Sequence, residues 1–360
     1  MISKGELITA LVFIKGVKMN QYPNYDYQNY DFYQGYTMPP PQPPVKLSRV
    51  RWHVCIIALA VVMVTVATSV AQAIIYGAVY EYFPALAEND WFMIIVSTVP
   101  IHLFGMPVAY LLLLTVPKSA PQRRRLNPLM WVGFLCLCFT LSVAANVAGQ
   151  YFSDWITFLL GIKVENEVQE ITSVTPLGVN ILVVGILAPI FEELFYRKAI
   201  IDRLRRYGDL PAVLISGVIF GLMHGNLSQI FYTTAVGILL SFIYVRTGSV
   251  LYTISIHSAF NMICGVYTTE LIRRLGEDLV PAEGDAVGGF MLAAYSIFCI
   301  VALIVGVIFL LVNFRRSLRT LGPGEYPVPR NKWANVLVAN PGTWVFVAMT
   351  VFTVVVNLLV

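Results

Sequence analysis

Charged side chains are scarce in this chain, and their scarcity excludes most classes of soluble protein. Only 12% of the 360 residues are Asp, Glu, Lys or Arg, whereas 58% are hydrophobic and the mean hydropathy is +0.72. A soluble domain carries about 25% charged residues. The net charge of +4 is small, and no basic cluster is interleaved with aromatics, which argues against a nucleic-acid partner. The composition predicts an all-α, polytopic transmembrane helical bundle surrounded by membrane lipid.

Cysteine is also sparse, and its spacing excludes the common thiol sites. The five cysteines lie in apolar segments, and none forms a Cys-x-x-Cys pair. Small buried side chains are therefore favoured over disulfides or a thiolate metal site. The His-Glu-x-x-His pattern of zinc metalloproteases is absent as well. The cysteines are Cys55, Cys136, Cys138, Cys264 and Cys299.

The first 50 residues lack the aliphatic side chains that a folded core needs. Residues 20–44 are rich in Tyr, Asn, Asp and Gln and end in a proline-rich run. This composition predicts a disordered tail over residues 1–50. The short apolar run near the start is a weak secretory signal because no small-residue cleavage site follows, and Met19 is as good an initiator as Met1.

Nine apolar segments follow. Their lengths are near the ~20 residues that a helix needs to cross the hydrocarbon layer. The fifth is short and runs almost directly into the sixth, which predicts a tight hairpin inside the membrane. The sequence thus predicts about eight to nine transmembrane helices. The segments cover roughly residues 54–80, 91–116, 129–150, 177–200, 211–226, 228–246, 249–268, 290–314 and 342–360.

The loops between these segments alternate in charge. Basic residues precede the first segment and follow the second, fourth, sixth and eighth, while the loops after the first, third and seventh are mainly acidic. Because basic loops stay in the cytoplasm, the alternation predicts a cytoplasmic N-terminus and an outside C-terminus. We therefore expect an integral protein of the plasma membrane.

Three segments carry polar side chains at helical spacing. Glu192, Glu193 and Arg197 interrupt the fourth segment, where each charge costs roughly 2.5–3.5 kcal/mol at the centre of a spanning helix. The fifth segment contains Phe220-x-x-x-His224 and the seventh contains His257-x-x-x-Asn261. Residues four apart share one helix face, so each motif presents its pair on the same side.

Counting residues from the turns predicts that these groups converge. Glu193 lies about 15 residues before Gly208 and His224 about 16 after it, which places both roughly 22–24 Å from that turn. His257 lies ~13 Å past the turn at Gly248, on the same side. With the interface near Ile201, Glu193 would be ~12 Å inside the membrane. We therefore expect one cavity that opens toward the cytoplasm.

Gly217, Gly221 and Gly225 recur every fourth residue on the segment that carries His224. Such stripes of small residues let two membrane helices approach closely. The stripe therefore predicts close packing that holds His224 in place.

The available chemistry is that of a water-activating site. A carboxylate in a dry cavity is a stronger base than one in water, and a neighbouring arginine keeps a second carboxylate ionised. His224 can share the activation of a water, and His257 with Asn261 can donate hydrogen bonds to an oxyanion. No serine or cysteine with a matched base is present, since Ser258 points away from the face of His257.

The three motifs resemble the CPBP family of intramembrane proteases, which includes type II CAAX prenyl endopeptidases and bacteriocin-processing or immunity proteins. The family pattern is Glu-Glu-x-x-x-Arg, then Phe-x-x-x-His, then His-x-x-x-Asn, and this sequence has all three in order. The resemblance covers residues 177–268. It divides the chain into N-terminal helices (51–176), a catalytic core (177–268) and a C-terminal loop with further helices (269–360).

The resemblance implies specific roles for the motif residues. Glu192 would activate water together with His224, Glu193 would pair with Arg197, and His257 with Asn261 would form the oxyanion hole. It implies hydrolysis of a peptide bond in a peptide or protein substrate near the cytoplasmic membrane face, without a cofactor. The division of labour between the two glutamates rests on this resemblance alone.

Other interpretations of the same residues stay open. Glu192, His224 and His257 could instead hold a catalytic zinc ion, since one glutamate and two histidines form a known zinc set. Intramembrane Glu, His and Arg also form proton relays in ion-coupled transporters. As a purely structural alternative, Glu192, Glu193 and Arg197 could form a buried salt-bridge network that fixes helix register. A non-proteolytic immunity or scaffold role leaves no trace in the sequence. His53 and His102 are isolated from the motifs, so we expect structural roles for both.

Overall fold

The computed structural model describes residues 46–161, 172 and 174–359. Most of the predicted N-terminal tail therefore lies outside the described residues. Its boundary at residue 50 is wrong by a few positions, because the first helix begins at Leu47 and Val50 is fully buried.

The described residues form an all-α bundle. Eight of its helices are long and apolar enough to span a membrane, and a ninth, α5, has only 14 residues. The short fifth segment is thus confirmed. The helices are α1 (Leu47–Tyr82), α2 (Trp91–Leu113), α3 (Pro128–Leu160), α4 (Leu177–Tyr207), α5 (Asp209–Leu222), α6 (Leu227–Thr247), α7 (Val250–Leu275), α8 (Ala286–Leu318), α9 (Arg330–Val338) and α10 (Pro341–Leu359), with one more turn at Pro84–Ala87.

Helices α3 and α7 are among those that run further than the apolar pattern predicts. Helix α3 continues about ten residues past position 150 and ends where Gly161 adopts a left-handed conformation, with φ +68°. Helix α7 continues to Leu275 through a charged turn in which Arg273 pairs with Glu270 at 2.9 Å. A prediction from hydropathy places the end of a helix where polar residues begin. The backbone hydrogen bonds of the helix continue past that point, until a glycine or a turn ends them.

The basic loops meet at one end of the bundle, which we call the basic end. It comprises the start of α1, residues 114–127, the junctions α4–α5 and α6–α7, and residues 319–329. Hydrogen bonds join these parts, so the segments alternate in direction as the charge pattern predicts. They link Ser119 to Asp202 (2.6 Å), Arg124 to Thr247 (2.7 Å), Tyr326 to Arg206 (2.6 Å) and His53 to Tyr207.

The opposite end, which we call the acidic end, contains the described loops 83–90 and 276–285. There Arg273 donates to the carbonyl oxygen of Thr175 at 2.6 Å, joining the last turns of α7 to the segment before α4. Arg274 binds Asp285 at 2.5 Å, joining α7 to the start of α8.

Helices α5 and α6 form the tight hairpin that the short fifth segment predicts, and the glycine stripe lies at their contact. A methyl group on Gly217 would come within 2.6 Å of the backbone nitrogen of Ile238, and one on Gly221 within 2.8 Å of the Cα of Thr234. Only glycine permits these two backbones to approach so closely. The third glycine, Gly225, follows α5 in a left-handed conformation with φ +66° and contacts Thr353 of α10.

Four stretches widen into π-helical turns, at Ile101–Gly105, Ile181–Leu187, Glu193–Ile201 and Met262–Tyr267. Two of them have a local cause, because a proline (Pro107 or Pro189) follows within two residues, and a proline ring clashes with the carbonyl four residues earlier. Such turns are rare and often occur at functional sites.

Candidate active site

A cavity of about 890 Å³ lies inside the bundle between the helices that carry the three motifs. Glu192, His224, His257 and Asn261 all line it, so the sequence-predicted residues do converge on one space. Glu193 and Arg197 lie behind its wall and are fully buried.

The cavity extends toward the acidic end, whereas the sequence predicts a cavity that opens toward the basic loops. Thr172 and Asn180, before and at the start of α4, line it, as does Ile272 near the end of α7. The lining residue of α7 nearest the basic end is His257. It lies about two helical turns, or ~10 Å, from the start of that helix.

Packing closes the basic end. Tyr196, Ile200, Leu204 and Tyr207 of α4 form one buried cluster with the first half of α1. Arg203 adds hydrogen bonds to the carbonyl oxygens of Leu113 (2.6 Å) and Ala199 (2.7 Å). Helix α4 also runs on to Tyr207, which places Glu192 about 22 Å from that end and near the middle of the helix. This distance agrees with the roughly 22–24 Å counted from Gly208 in the sequence.

The two adjacent glutamates have different surroundings. Glu193 accepts a hydrogen bond from Nε of Arg197 at 3.0 Å, and neither side chain is exposed at all. Glu192 has 19% of its side chain exposed and faces the cavity. A fully buried carboxylate needs such a pairing, because an unpaired charge there is expensive. Glu192 is therefore the member of the pair that a water or a substrate can reach.

His257 bridges the two glutamates. Its Nδ1–H donates to Oε1 of Glu193 at 3.0 Å, and its Nε2 lies 3.8 Å from Oε2 of Glu192. The bond to Glu193 places a proton on Nδ1 and orients the ring. His257 can then donate from Nε2 to an oxyanion only when both ring nitrogens are protonated.

The ring of Phe220 packs against three of the motif side chains. Its ring lies 4.9 Å from the ring of His224 and 5.8 Å from that of His257, and the guanidinium of Arg197 is 4.7 Å from its centre. His224 donates from Nδ1 to the carbonyl oxygen of Phe220 at 2.8 Å. This bond leaves Nε2 of the neutral imidazole as a proton acceptor.

Asn261 lines the cavity beside His257. One N–H of its amide donates to the carbonyl oxygen of Val184, in a π-helical turn of α4, at 3.0 Å. That bond orients the amide and leaves its second N–H as the donor available to a bound group.

The donor set does not fit the zinc hypothesis as it stands. Among the described residues, no three His, Cys, Asp or Glu side chains are grouped so that they could hold one metal ion. Glu192, His224 and His257 share the cavity but do not form a three-ligand set.

The sequence interpretation missed the wall of the cavity formed by α1 and α2. Thr65, Thr68, Ser69 and Gln72 of α1 line the cavity, as does His102 of α2. A signal was present, because four polar residues at i, i+3, i+4 and i+7 mark one face of an otherwise apolar helix.

Two comparisons with known proteins agree with this site. The family model described as "Type II CAAX prenyl endopeptidase Rce1-like" matches residues 175–263. A Bacillus subtilis (strain 168) protein described as "Putative membrane peptidase YdiL" is 28% identical over 192 residues, which cover 51% of this chain and 76% of that protein. No solved structure matches the chain. Both matches support the CPBP family of CAAX-type membrane proteases, and the segment that the family model matches contains all three motifs.

Proposed function

We propose that the protein is an intramembrane endopeptidase in which Glu192 and His224 activate the attacking water. The observation that carries this proposal is the contrast between the glutamates: Glu192 reaches the cavity, while Glu193 is fully buried against Arg197. The substrate is a peptide or protein, and the chemistry needs no cofactor.

The reaction divides among residues that the cavity brings together. Glu192 removes a proton from water while Nε2 of His224 accepts the second hydrogen bond of that water. The resulting hydroxide attacks the peptide carbonyl carbon, and the negative charge develops on the carbonyl oxygen. His257 and Asn261 donate hydrogen bonds to that oxyanion. The C–N bond then breaks as Glu192 returns its proton to the leaving amine nitrogen.

Glu193 and Arg197 act as positioning residues. The carboxylate of Glu193 holds Nδ1 of His257 at 3.0 Å, and Arg197 neutralises that carboxylate. Such support behind a functional histidine fixes its tautomer and its ring orientation. Loss of either residue should therefore misplace His257 rather than remove a reacting group.

We also propose that the substrate enters from the acidic end. The lining residues extend toward that end, and packed side chains close the basic end. In the plasma membrane, the positive-inside rule places the basic end and the N-terminus in the cytoplasm. The cavity then faces the opposite side of the membrane.

The test is cleavage of a pool of internally quenched peptides by the purified protein in detergent. We expect Glu192→Ala and His224→Ala each to lose about 10²–10⁴ of the rate, the usual contribution of a general base. Glu270→Ala is the matched control, because Glu270 pairs with Arg273 on the surface. Retained cleavage by Glu192→Ala would overturn the proposal.

The same preparation separates the alternative functions. Loss of cleavage on chelation, restored specifically by zinc, would favour the metal mechanism. Ion-dependent solute uptake into proteoliposomes would favour a carrier. An immunity or scaffold role would leave its biological effect intact in Glu192→Ala cells.

A further inference from the structure

Helix α6 presents one face to the cavity. Gln229, Tyr232, Thr233 and Val236 line the cavity at positions i, i+3, i+4 and i+7, the spacing of residues on one helix face. The hydroxyl of Thr233 already donates to the carbonyl oxygen of Gln229 at 2.7 Å, and Val236 carries no polar side-chain atom. Tyr232 brings to this face a hydroxyl that belongs to none of the three motifs.

The Tyr232 hydroxyl is open to the cavity. Its side chain is only partly buried, and within the described part of the chain its oxygen has no hydrogen-bond partner. It is not among the unpartnered polar atoms that packing seals from the cavity, as those of Thr68 and His102 are. A ligand in the cavity can therefore bind this hydroxyl.

Tyr232 lies at the depth of the candidate catalytic glutamate. It precedes Thr247, the last residue of α6, by 15 residues, and Glu192 precedes Tyr207, the last residue of α4, by the same number. Both helices finish at the basic end, so both residues lie ~22 Å from it. Helix α6 packs against Glu193–Ile201 of α4, and the charge of Glu192 acts on the Tyr232 hydroxyl. The hydroxyl therefore faces the space that Glu192 also reaches.

Helix α6 is packed closely against two neighbours beside Tyr232. A methyl group on Gly221 of α5 would come within 2.8 Å of the Cα of Thr234, and one on Gly149 of α3 would meet the ring of Phe231 at 3.2 Å. Because these contacts fix α6, the hydroxyl is held in place before a substrate arrives. Such preorganisation is what makes a hydrogen-bond donor effective toward a developing charge.

The two donors named for the oxyanion leave a place for a third. The Nδ1 proton of His257 binds Glu193 at 3.0 Å, so this ring donates from Nε2 only when it carries a second proton. Asn261 has one N–H left after its bond to Val184. A phenol hydroxyl is protonated at neutral pH and donates without any change of protonation state.

We propose that Tyr232 is a further catalytic residue, whose hydroxyl donates a hydrogen bond to the peptide carbonyl oxygen as negative charge develops there. The phenol keeps its proton, and the proton that Glu192 takes from water still goes to the leaving amine nitrogen. This inference rests on the proposed function and adds a donor from α6 to the oxyanion hole.

The first measurement compares two tyrosines that line the same cavity. Tyr232→Phe removes the unpartnered hydroxyl, whereas Tyr295→Phe removes one that already hydrogen-bonds the side chain of Thr268. The kcat, KM and melting temperature are measured with one internally quenched peptide that the unmodified protein cleaves. We expect Tyr232→Phe to lower kcat about 10²–10³-fold and Tyr295→Phe to change it less than about twofold, with KM nearly constant in both. Equal kcat values for the two variants would overturn the proposal, as would a loss of melting temperature in Tyr232→Phe with kcat unchanged.

Binding of a transition-state mimic is a second readout, which a packing role alone would not move. In the mimic, a phosphinate group, which is tetrahedral and anionic, replaces the scissile amide of the same peptide. A fluorescein label reports its binding by anisotropy. Because such analogues use the interactions that form in the transition state, Tyr232→Phe should weaken their Kd about tenfold or more while KM for the peptide barely changes. An unchanged Kd, or a Kd that changes only as much as KM, would overturn the oxyanion role.

The same titration separates this inference from the proposed mechanism. The phosphinate peptide is titrated into Glu192→Ala protein with and without Tyr232→Phe. A weaker Kd in the double variant supports the donor role of Tyr232 even if Glu192→Ala proves active. An unchanged Kd overturns that role, whereas the role of Glu192 is decided by peptide hydrolysis alone.

Discussion

Replacing Arg197 with methionine is expected to destabilise the bundle strongly, because it leaves a buried carboxylate without its cation. Arg197 and Glu193 are both fully buried and lie 3.0 Å apart. Breaking such a pair by removing one partner costs about 3–5 kcal/mol. Glu193 would keep its hydrogen bond from His257 at 3.0 Å, so we expect Arg197→Met near the lower limit, about 3 kcal/mol.

Removing the carboxylate instead of the arginine should cost more of the free energy of unfolding. Glu193→Met leaves a guanidinium whose terminal nitrogens have no hydrogen-bond partner among the described residues, with only the Phe220 ring at 4.7 Å to stabilise it. We expect a loss near the upper limit, about 5 kcal/mol. The double variant should lose about 2–3 kcal/mol less than the sum of the two single losses, because neither charge is then left alone.

The assay is reversible unfolding in mixed micelles, which gives the free energy of unfolding for each variant. The matched control is Arg206→Met, because Arg206 pairs with Glu325 at 3.1 Å at the basic end, where the glutamate side chain is 34% exposed. That pair should contribute less than about 1 kcal/mol. An Arg197→Met loss no larger than that of Arg206→Met would refute the reasoning, as would strict additivity in the double variant.

Three further predictions concern access, packing and the oxyanion. The access test uses a protein without its native cysteines and a membrane-impermeant maleimide. Ser69→Cys should react in intact cells, whereas Lys118→Cys at the basic end should react only after permeabilisation. The reverse pattern would place the cavity on the cytoplasmic side. Gly221→Ala should destabilise the α5–α6 hairpin by about 1–3 kcal/mol in the same unfolding assay, whereas Gly289→Ala, whose methyl group would meet no atom within 4 Å, should not; equal losses would contradict the close-packing argument. Asn261→Ala should lower kcat about 10²-fold or more with little change in KM, as expected for an oxyanion donor; a change in KM alone would exclude that role.

The helices and the motif faces could be predicted from the sequence because both are local signals. Apolar runs and alternating loop charge give the crossings, and i, i+4 spacing places Glu193 with Arg197 and His257 with Asn261. The glycine stripe of α5 likewise predicts a close helix partner, although the stripe alone does not identify α6.

The direction of the cavity could not be predicted in the same way. A cavity lies where distant segments do not fill the space between them, so it depends on packing partners that no local pattern identifies. Here the first half of α1 packs against Ile200 and Leu204, and the second half, with its polar stripe, does not. The count of residues from Gly208 gave a distance from one end only.

The roles of the arginines near the basic end were also only partly predictable. The number of arginines in these loops predicts the cytoplasmic side, but it does not predict their contacts. Arg203 is buried and hydrogen-bonded to Leu113 and Ala199. Arg206 pairs with Glu325. These contacts join segments far apart in the sequence, which explains why loop composition alone does not predict them.

The central claim is that the Glu192 carboxylate is the base that activates water, and chemical rescue tests it most directly. Glu192→Ala leaves a small space within a cavity of about 890 Å³ that formate can enter. We expect this purified variant to lose about 10²–10⁴ of the peptide hydrolysis rate, and to recover part of it as formate is added. His224→Ala should show no such recovery. Hydrolysis by Glu192→Ala at the unmodified rate, or a loss that zinc restores and formate does not, would contradict the account.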